Sequence, residues 1–117
     1  MIDMGALAER YTANYLRKKN YKLLDYNYRS RYGEVDLILT KGRYIVFVEV
    51  KARNCNSIAE PKEFVDEYKQ ERIIHTAMTY IQRSGSELQP RFDVAEVFFE
   101  NNEIKSIKYL ENAFTLD

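Results

Sequence analysis

Apolar positions along the chain alternate between two spacings, the three-to-four-residue recurrence of an amphipathic helix and the two-residue recurrence of a strand. The densest block is residues 33–53, GEVDLILTKGRYIVFVEVKAR. It holds two runs rich in β-branched residues, Val35 to Leu39 and Tyr44 to Val50, separated by Thr40-Lys41-Gly42-Arg43. That arrangement predicts a tight hairpin. Ile45-Val46-Phe47-Val48 is apolar at every position, so the second of these strands is expected at the centre of a sheet, covered on both faces.

The flanking segments fit around this hairpin. Residues 2 to 19 read as a helix with Met4, Leu7, Ala8, Tyr11, Tyr15 and Leu16 on one stripe, Asp3 placed to cap its start and Arg17-Lys18-Lys19 at its end. Residues 21–29 alternate imperfectly and suit an edge strand, with Ser30-Arg31-Tyr32-Gly33 as the turn into the hairpin. Asn54-Cys55-Asn56-Ser57 is loop-like, and Pro61 opens a second helix running to about Arg83, with Phe64, Val65, Tyr68, Ile73 or Ile74, Ala77, Met78 and Ile81 as its stripe. Ser84-Gly85-Ser86 ends it. Arg91 to Phe99 is a strand covered on both sides, Asn101-Asn102 a turn, and Ile104 to Leu110 a last strand at the opposite edge. The predicted order is α-β-β-β-α-β-β in a single α/β domain, 1–117. The helix between the third and fourth strands is long enough to cross over, which makes those two strands parallel in a mixed sheet.

A chain of 117 residues, 45% hydrophobic and 31% charged, has the composition of a globular domain. It contains no apolar run of membrane-spanning length, and MIDMGALAER does not read as a signal peptide, so a cytoplasmic protein with no membrane partner is expected. Cys55 is the one cysteine, which rules out an internal disulfide and argues against a cysteine-based zinc site. His75 is the one histidine and reads as a surface or packing residue.

The chemistry is concentrated in the hairpin. Glu49 interrupts an otherwise buried run, and an ionised carboxylate removed from water requires a cation, either a metal or a lysine. With Lys41-Gly42 as a two-residue loop, Asp36 faces Phe47, Glu34 faces Glu49, and Glu34, Asp36, Glu49 and Lys51 project from one face. Three carboxylates and one ammonium so placed have the character of a hard divalent-metal site, for Mg²⁺ or Mn²⁺. The zero net charge conceals a basic surround: residues 17–53 carry ten Lys or Arg against four acids, whereas residues 87–117 carry three against seven. A site holding a polyanion beside a metal calls for such a surround, although each basic residue taken singly reads as a solvated surface group.

Asp36, followed on the next strand by Glu49-Val50-Lys51, resembles the PD-(D/E)XK nuclease superfamily, with Val35 where the motif often has proline. The match is closer to the YraN-like family of small bacterial proteins, predicted nucleases, and spans almost the whole chain. Its hallmarks are Gly5 and Glu9, Asn27, the block Gly33 to Ile38, the block Phe47 to Arg53, Lys69 and Arg72, Arg91-Phe92-Asp93-Val94, and Asn112-Ala113-Phe114.

The resemblance implies a restriction-endonuclease-like mixed sheet flanked by helices, similar to that of archaeal Holliday-junction resolvases. It implies that Glu9, Asp36 and Glu49, with the Val50 backbone carbonyl, hold the metal, and that Lys51 contacts the attacking water or the scissile phosphate. Periodicity alone makes Glu9 a solvated helix carboxylate; the resemblance makes it a ligand. Glu34 stays open as ligand, water holder or solvated neighbour. Arg29, Arg31 and Arg53 flank the hairpin ends as phosphate-binding candidates. Lys69 and Arg72, three apart on one helical face, either join them or pair with acids such as Asp66.

The resulting expectation is a metal-dependent endonuclease acting on DNA, on branched or repair intermediates, with a homodimer required if the substrate is a symmetric junction. The alternative is a catalytically silent nucleic-acid-binding module serving repair, recombination or uptake.

Overall fold

A computed structural model describes residues 2–55 and 65–116. The element order is α1 (Met4–Arg17), β1 (Lys22–Ser30), β2 (Gly33–Lys41), β3 (Tyr44–Asn54), α2 (Glu67–Ser84), β4 (Gln89–Glu100) and β5 (Glu103–Phe114). The strands form one sheet in the spatial order β1-β2-β3-β4-β5, antiparallel except for the β3–β4 pair, which is parallel. The order, the central position of β3 and the two edges are those expected from the sequence. The expected start of the second helix at Pro61 lies outside the described residues.

Each helix covers one face of the sheet. On one side, Ala13 and Leu16 of α1 pack with Leu37 and Leu39 of β2, Val46 and Val48 of β3, and Ala95 of β4. On the other, Ile73 and Ala77 of α2 pack with Val35, Ile38, Ile45, Phe47, Phe92 and Phe114. Val46 and Val48 alternate with Ile45 and Phe47 across the two cores, so β3 is apolar throughout because both of its faces are buried.

Both helices are capped by aspartates. Asp3 accepts from the Ala6 amide at 3.1 Å and Asp66 from the Lys69 amide at 2.8 Å, while Gly85 closes α2 with φ at +71°. The helix stripes differ from those expected: Tyr11, Tyr68 and Met78 are exposed, while Thr12, Ala13 and Thr76 are buried. Thr12 is fully buried because its hydroxyl donates to the Ala8 carbonyl, 2.8 Å away, and so needs no water. Tyr68, expected in the apolar stripe, is instead exposed beside Arg72, with the guanidinium 5.6 Å from the ring centroid.

The central hairpin differs in register. Lys41 pairs with Tyr44, so the loop is Gly42-Arg43 and not Lys41-Gly42, and Phe47 faces Ile38 where Asp36 was expected. Gly42 takes a positive φ of 56° at the first loop position, the requirement of one of the two favoured hairpin turns. A shift of two residues preserves the parity of the strands but moves Asp36 towards the level of Glu49.

A buried polar cluster joins β4 to β5, with Arg91 and Asp93 level with Val46 and Val48 of β3. Asp93, fully buried, accepts from Arg91 at 2.7 Å, from the Tyr109 hydroxyl at 2.5 Å and from the Asn112 amide at 2.8 Å, while Arg91 also donates to Tyr21 at 2.6 Å. Every oxygen of the aspartate is thereby satisfied, which is the condition for burying its charge. Among the described residues no helix is long and apolar enough to cross a membrane.

Candidate functional site

Strands β2 and β3 are paired from Lys41/Tyr44 to Leu37/Val48, after which β2 continues beside β1 down to Gly33 and β3 continues beside β4 up to Asn54. The two central strands therefore part just beyond Leu37 and Val48. Asp36 and Glu34 line one side of the gap, and Glu49 and Lys51 the other.

The strand is irregular at this point. Leu37 and Leu39 face the α1 core, as alternation requires, yet Val35 faces the α2 core together with Ile38. The two-residue period is broken between Val35 and Leu37, at Asp36 itself. The expectation that Glu34, Asp36, Glu49 and Lys51 share a face by simple alternation is corrected accordingly; the parting of the strands gathers them. Asp36 accepts a 2.7 Å hydrogen bond from the Val50 amide, so a side-chain carboxylate takes the place of a backbone carbonyl at the end of the β2–β3 ladder. Opposite, β1 bulges between Leu23 and Asp25, and Asn27 adopts a left-handed φ of 50°.

Electrostatics define the site more sharply than the backbone does. Asp36 is only 8% exposed, and its pKa is pushed up to about 7, first by burial and then by the charge of Glu49, with Glu9 and Glu34 adding to it. The Val50 hydrogen bond acts in the opposite sense. Glu9 is raised by burial and by Glu34, offset by a hydrogen bond from Asn27, with Asp3 and Glu49 contributing further. Four carboxylates from α1, β2 and β3 thus act on one another, which is the response of a like-charge cluster short of cations.

One cation is already in place. The Lys69 ammonium, from the first turn of α2, lies 3.0 Å from Glu49 Oε1. Burial alone would lower the lysine pKa, but the bond to Glu49 raises it overall. Phosphate or an acid such as Asp66 was the partner expected from the sequence; the partner is Glu49.

The remaining sequence candidates are engaged as follows. Arg29 pairs with Glu34 at 2.5 Å, and Arg53 lies 3.6 Å from Glu96. The Arg31 guanidinium sits over Tyr32, whose ring stacks on His75 at 5.0 Å. Arg72 donates to the Tyr68 hydroxyl at 3.2 Å and lies against Gly33, where an added Cβ would meet its side chain at 3.6 Å. Lys51 is half-buried on β3, level with Glu96 of β4.

Two participants were not assigned to the site from sequence. Asn27 anchors Glu9, and its signal was an asparagine in the middle of a strand, a residue type depleted there but tolerant of left-handed backbone. Glu96 is 6% exposed, and its Oε1 is buried without a hydrogen-bond partner in register with Lys51.

The donor chemistry fits a hard divalent cation: carboxylate oxygens, two of them with pKa raised by burial and by the charge of neighbouring carboxylates. Among the described residues no three acidic, histidine or cysteine side chains stand at the spacing of a formed metal centre, so the carboxylates would have to draw together to enclose an ion.

Comparison with known proteins agrees with the YraN-like resemblance. A family model, "Uncharacterised protein family UPF0102", matches residues 8–97, which contain the whole of this site. A UPF0102 protein of Alkaliphilus metalliredigens is 46% identical over 113 residues, covering 96% of this chain and 97% of its own. One from Caldanaerobacter subterraneus is 40% identical over 114 residues, covering 95% and 93%, and one from Acinetobacter baumannii 39% identical over 128 residues, covering 98% and 96%. With a match across most of its length to the model and to full-length relatives, the chain belongs to the YraN-like family UPF0102.

Proposed function

We propose that this protein is a metal-dependent nuclease that hydrolyses DNA phosphodiester bonds, acting on branched or repair intermediates. The observation that carries the reading is the gathering of Asp36, Glu49, Glu34 and Glu9 beside two lysines where the central strands part. Such crowding raises the folded protein's free energy and has no structural benefit unless a cation enters.

Glu9, Asp36, Glu49 and the Val50 carbonyl would hold Mg²⁺ or Mn²⁺, with Glu34 at hand as a further oxygen donor. A bound divalent ion supplies charge to the phosphoryl oxygen and lowers the pKa of bound water. The residues of the chain do the rest. Lys51, on the strand that carries Glu49, would hold the attacking water or contact the scissile phosphate. Glu96, buried at the same level, can fix that ammonium through its unpartnered oxygen. Lys69 neutralises Glu49, and with a cation held by that carboxylate it would be available to meet a phosphate oxygen. Asn27 holds Glu9 facing the gap.

The test is cleavage of branched, flapped and single-stranded DNA in Mn²⁺ by wild type and by Asp36→Asn and Lys51→Ala variants. Cutting by wild type that both variants lose supports the reading. The Lys69–Glu49 pair and the Asp36–Val50 bond, which satisfy the site internally, favour a second reading, a catalytically silent nucleic-acid-binding module. Salt-dependent DNA binding without cutting by wild type would select it.

A further inference from the structure

We propose that the cleft between α1 and β1 holds one unpaired nucleotide of a DNA strand, so that the substrate class is single-stranded or frayed DNA and not intact duplex. The inference rests on the nuclease reading, because the cleft opens beside Glu9. Its origin lies in how α1 is seated. Ala13 and Leu16 pack over β2 and β3, which leaves the outer strand β1 half uncovered. Of the α1 residues that line the gap, Ala6 and Ala13 present only methyl groups, and a cleft of about 330 Å³ remains beside Glu9, Arg10, Asn14 and Arg17.

That volume lies near the lower end of the roughly 300–1,000 Å³ typical of small-molecule sites and suits one nucleotide, not a base pair. The walls carry matching chemistry. Arg10 and Arg17, two turns apart on α1, line the cleft, and neither has an ion-pair partner among the described residues. Arg29, Arg53 and Lys69, by contrast, are each committed to a carboxylate. Tyr26, on β1, is 64% exposed at the cleft and supplies an aromatic ring for stacking on a base. Phosphate-binding guanidinia and a stacking ring along one groove are the components of single-strand recognition. A base in duplex DNA is stacked and paired, so its entry costs the energy of unstacking and unpairing, which a base already unpaired does not incur.

The test uses the full chain in EDTA, so that no metal chemistry intervenes. ¹⁵N-labelled protein is titrated with dTMP, and binding of a fluorescent oligothymidylate is compared with that of a duplex of the same length. Expected are saturable amide shifts at Arg10, Ala13 and Tyr26, and tighter binding of the single strand. An Arg10→Ala, Arg17→Ala double variant should weaken single-strand binding about tenfold and reduce its salt slope by about 1.4, the loss of two phosphate contacts. Tyr26→Ala should weaken it comparably with the salt slope unchanged. Shifts confined to α2 or absent, or binding that prefers duplex and ignores both variants, overturn the proposal. If DNA is cut in Mn²⁺ while the cleft is silent, the nuclease reading stands and this inference fails; cleft binding without cutting gives the reverse.

Discussion

Replacing Asp36 by asparagine should stabilise the protein at neutral pH and flatten its pH dependence. The carboxyl of Asp36 titrates at about 7 in the folded state against an ordinary value of 3.8. The folded protein therefore holds the proton more tightly than the unfolded chain, and stability falls as pH rises from about 4 towards 7. A shift of about three units corresponds to roughly 4 kcal/mol lost in full above the folded pKa, of which about 2.5 kcal/mol falls between about pH 5 and pH 8. Asp36 is 8% exposed, so solvent screening takes little from this figure. Glu9, also raised, acts in the same direction. Asparagine keeps the size of the side chain and an oxygen to accept from the Val50 amide, 2.7 Å from the carboxylate, while removing the charge. Urea denaturation of wild type and Asp36→Asn at both pH values measures this directly. Wild type should lose stability between them and the variant should lose markedly less. A wild-type midpoint that does not fall, or a variant with the same slope, would refute the argument that the carboxylates repel. Mn²⁺ at the higher pH should restore wild-type stability and leave the variant unchanged.

Other outcomes follow from the same structure. Lys51→Ala should lower any cleavage rate by at least about a hundredfold while DNA binding persists, read by single-turnover kinetics beside anisotropy. Arg91→Met should cost about 3–5 kcal/mol in urea denaturation, because it leaves Asp93 charged and buried with its remaining neutral donors. Asn27→Gly should fold nearly as well as wild type, since glycine accepts the left-handed backbone, yet release Glu9 and weaken Mn²⁺ binding; Asn27→Val should also lose about 1–2 kcal/mol of stability.

The fold was legible because its strongest signals are physical necessities. A strand apolar on both faces, Ile45 to Val48, has to be central, and a helix placed between β3 and β4 has to return the chain in parallel. The hairpin register was less determined. Thr40-Lys41-Gly42-Arg43 admits glycine as either the first or the second loop residue, and these choices differ by two in register, which leaves the apolar pattern unchanged.

The site was legible in its residues and not in its geometry. Asp36, Glu49 and Lys51 stood out as charges among apolar neighbours, but the break in alternation at Asp36 and the left-handed Asn27 are set by pairing with β1, which no pattern within β2 records. For the same reason helical periodicity placed Glu9 on a solvated face. The arrival of Lys69 at Glu49 depends on where α2 begins relative to the strands, a tertiary fact.

The central claim is that these carboxylates are gathered for a divalent cation. It is tested most directly by calorimetric titration of Mn²⁺ into wild type and into Asp36→Asn and Glu49→Gln variants whose folding is verified by circular dichroism. Wild type should take up Mn²⁺ saturably, and both folded variants should lose that uptake. Wild-type protein that takes up no Mn²⁺, alone or with DNA present, would contradict the claim and leave the cluster to be satisfied by Lys69 and Val50 alone.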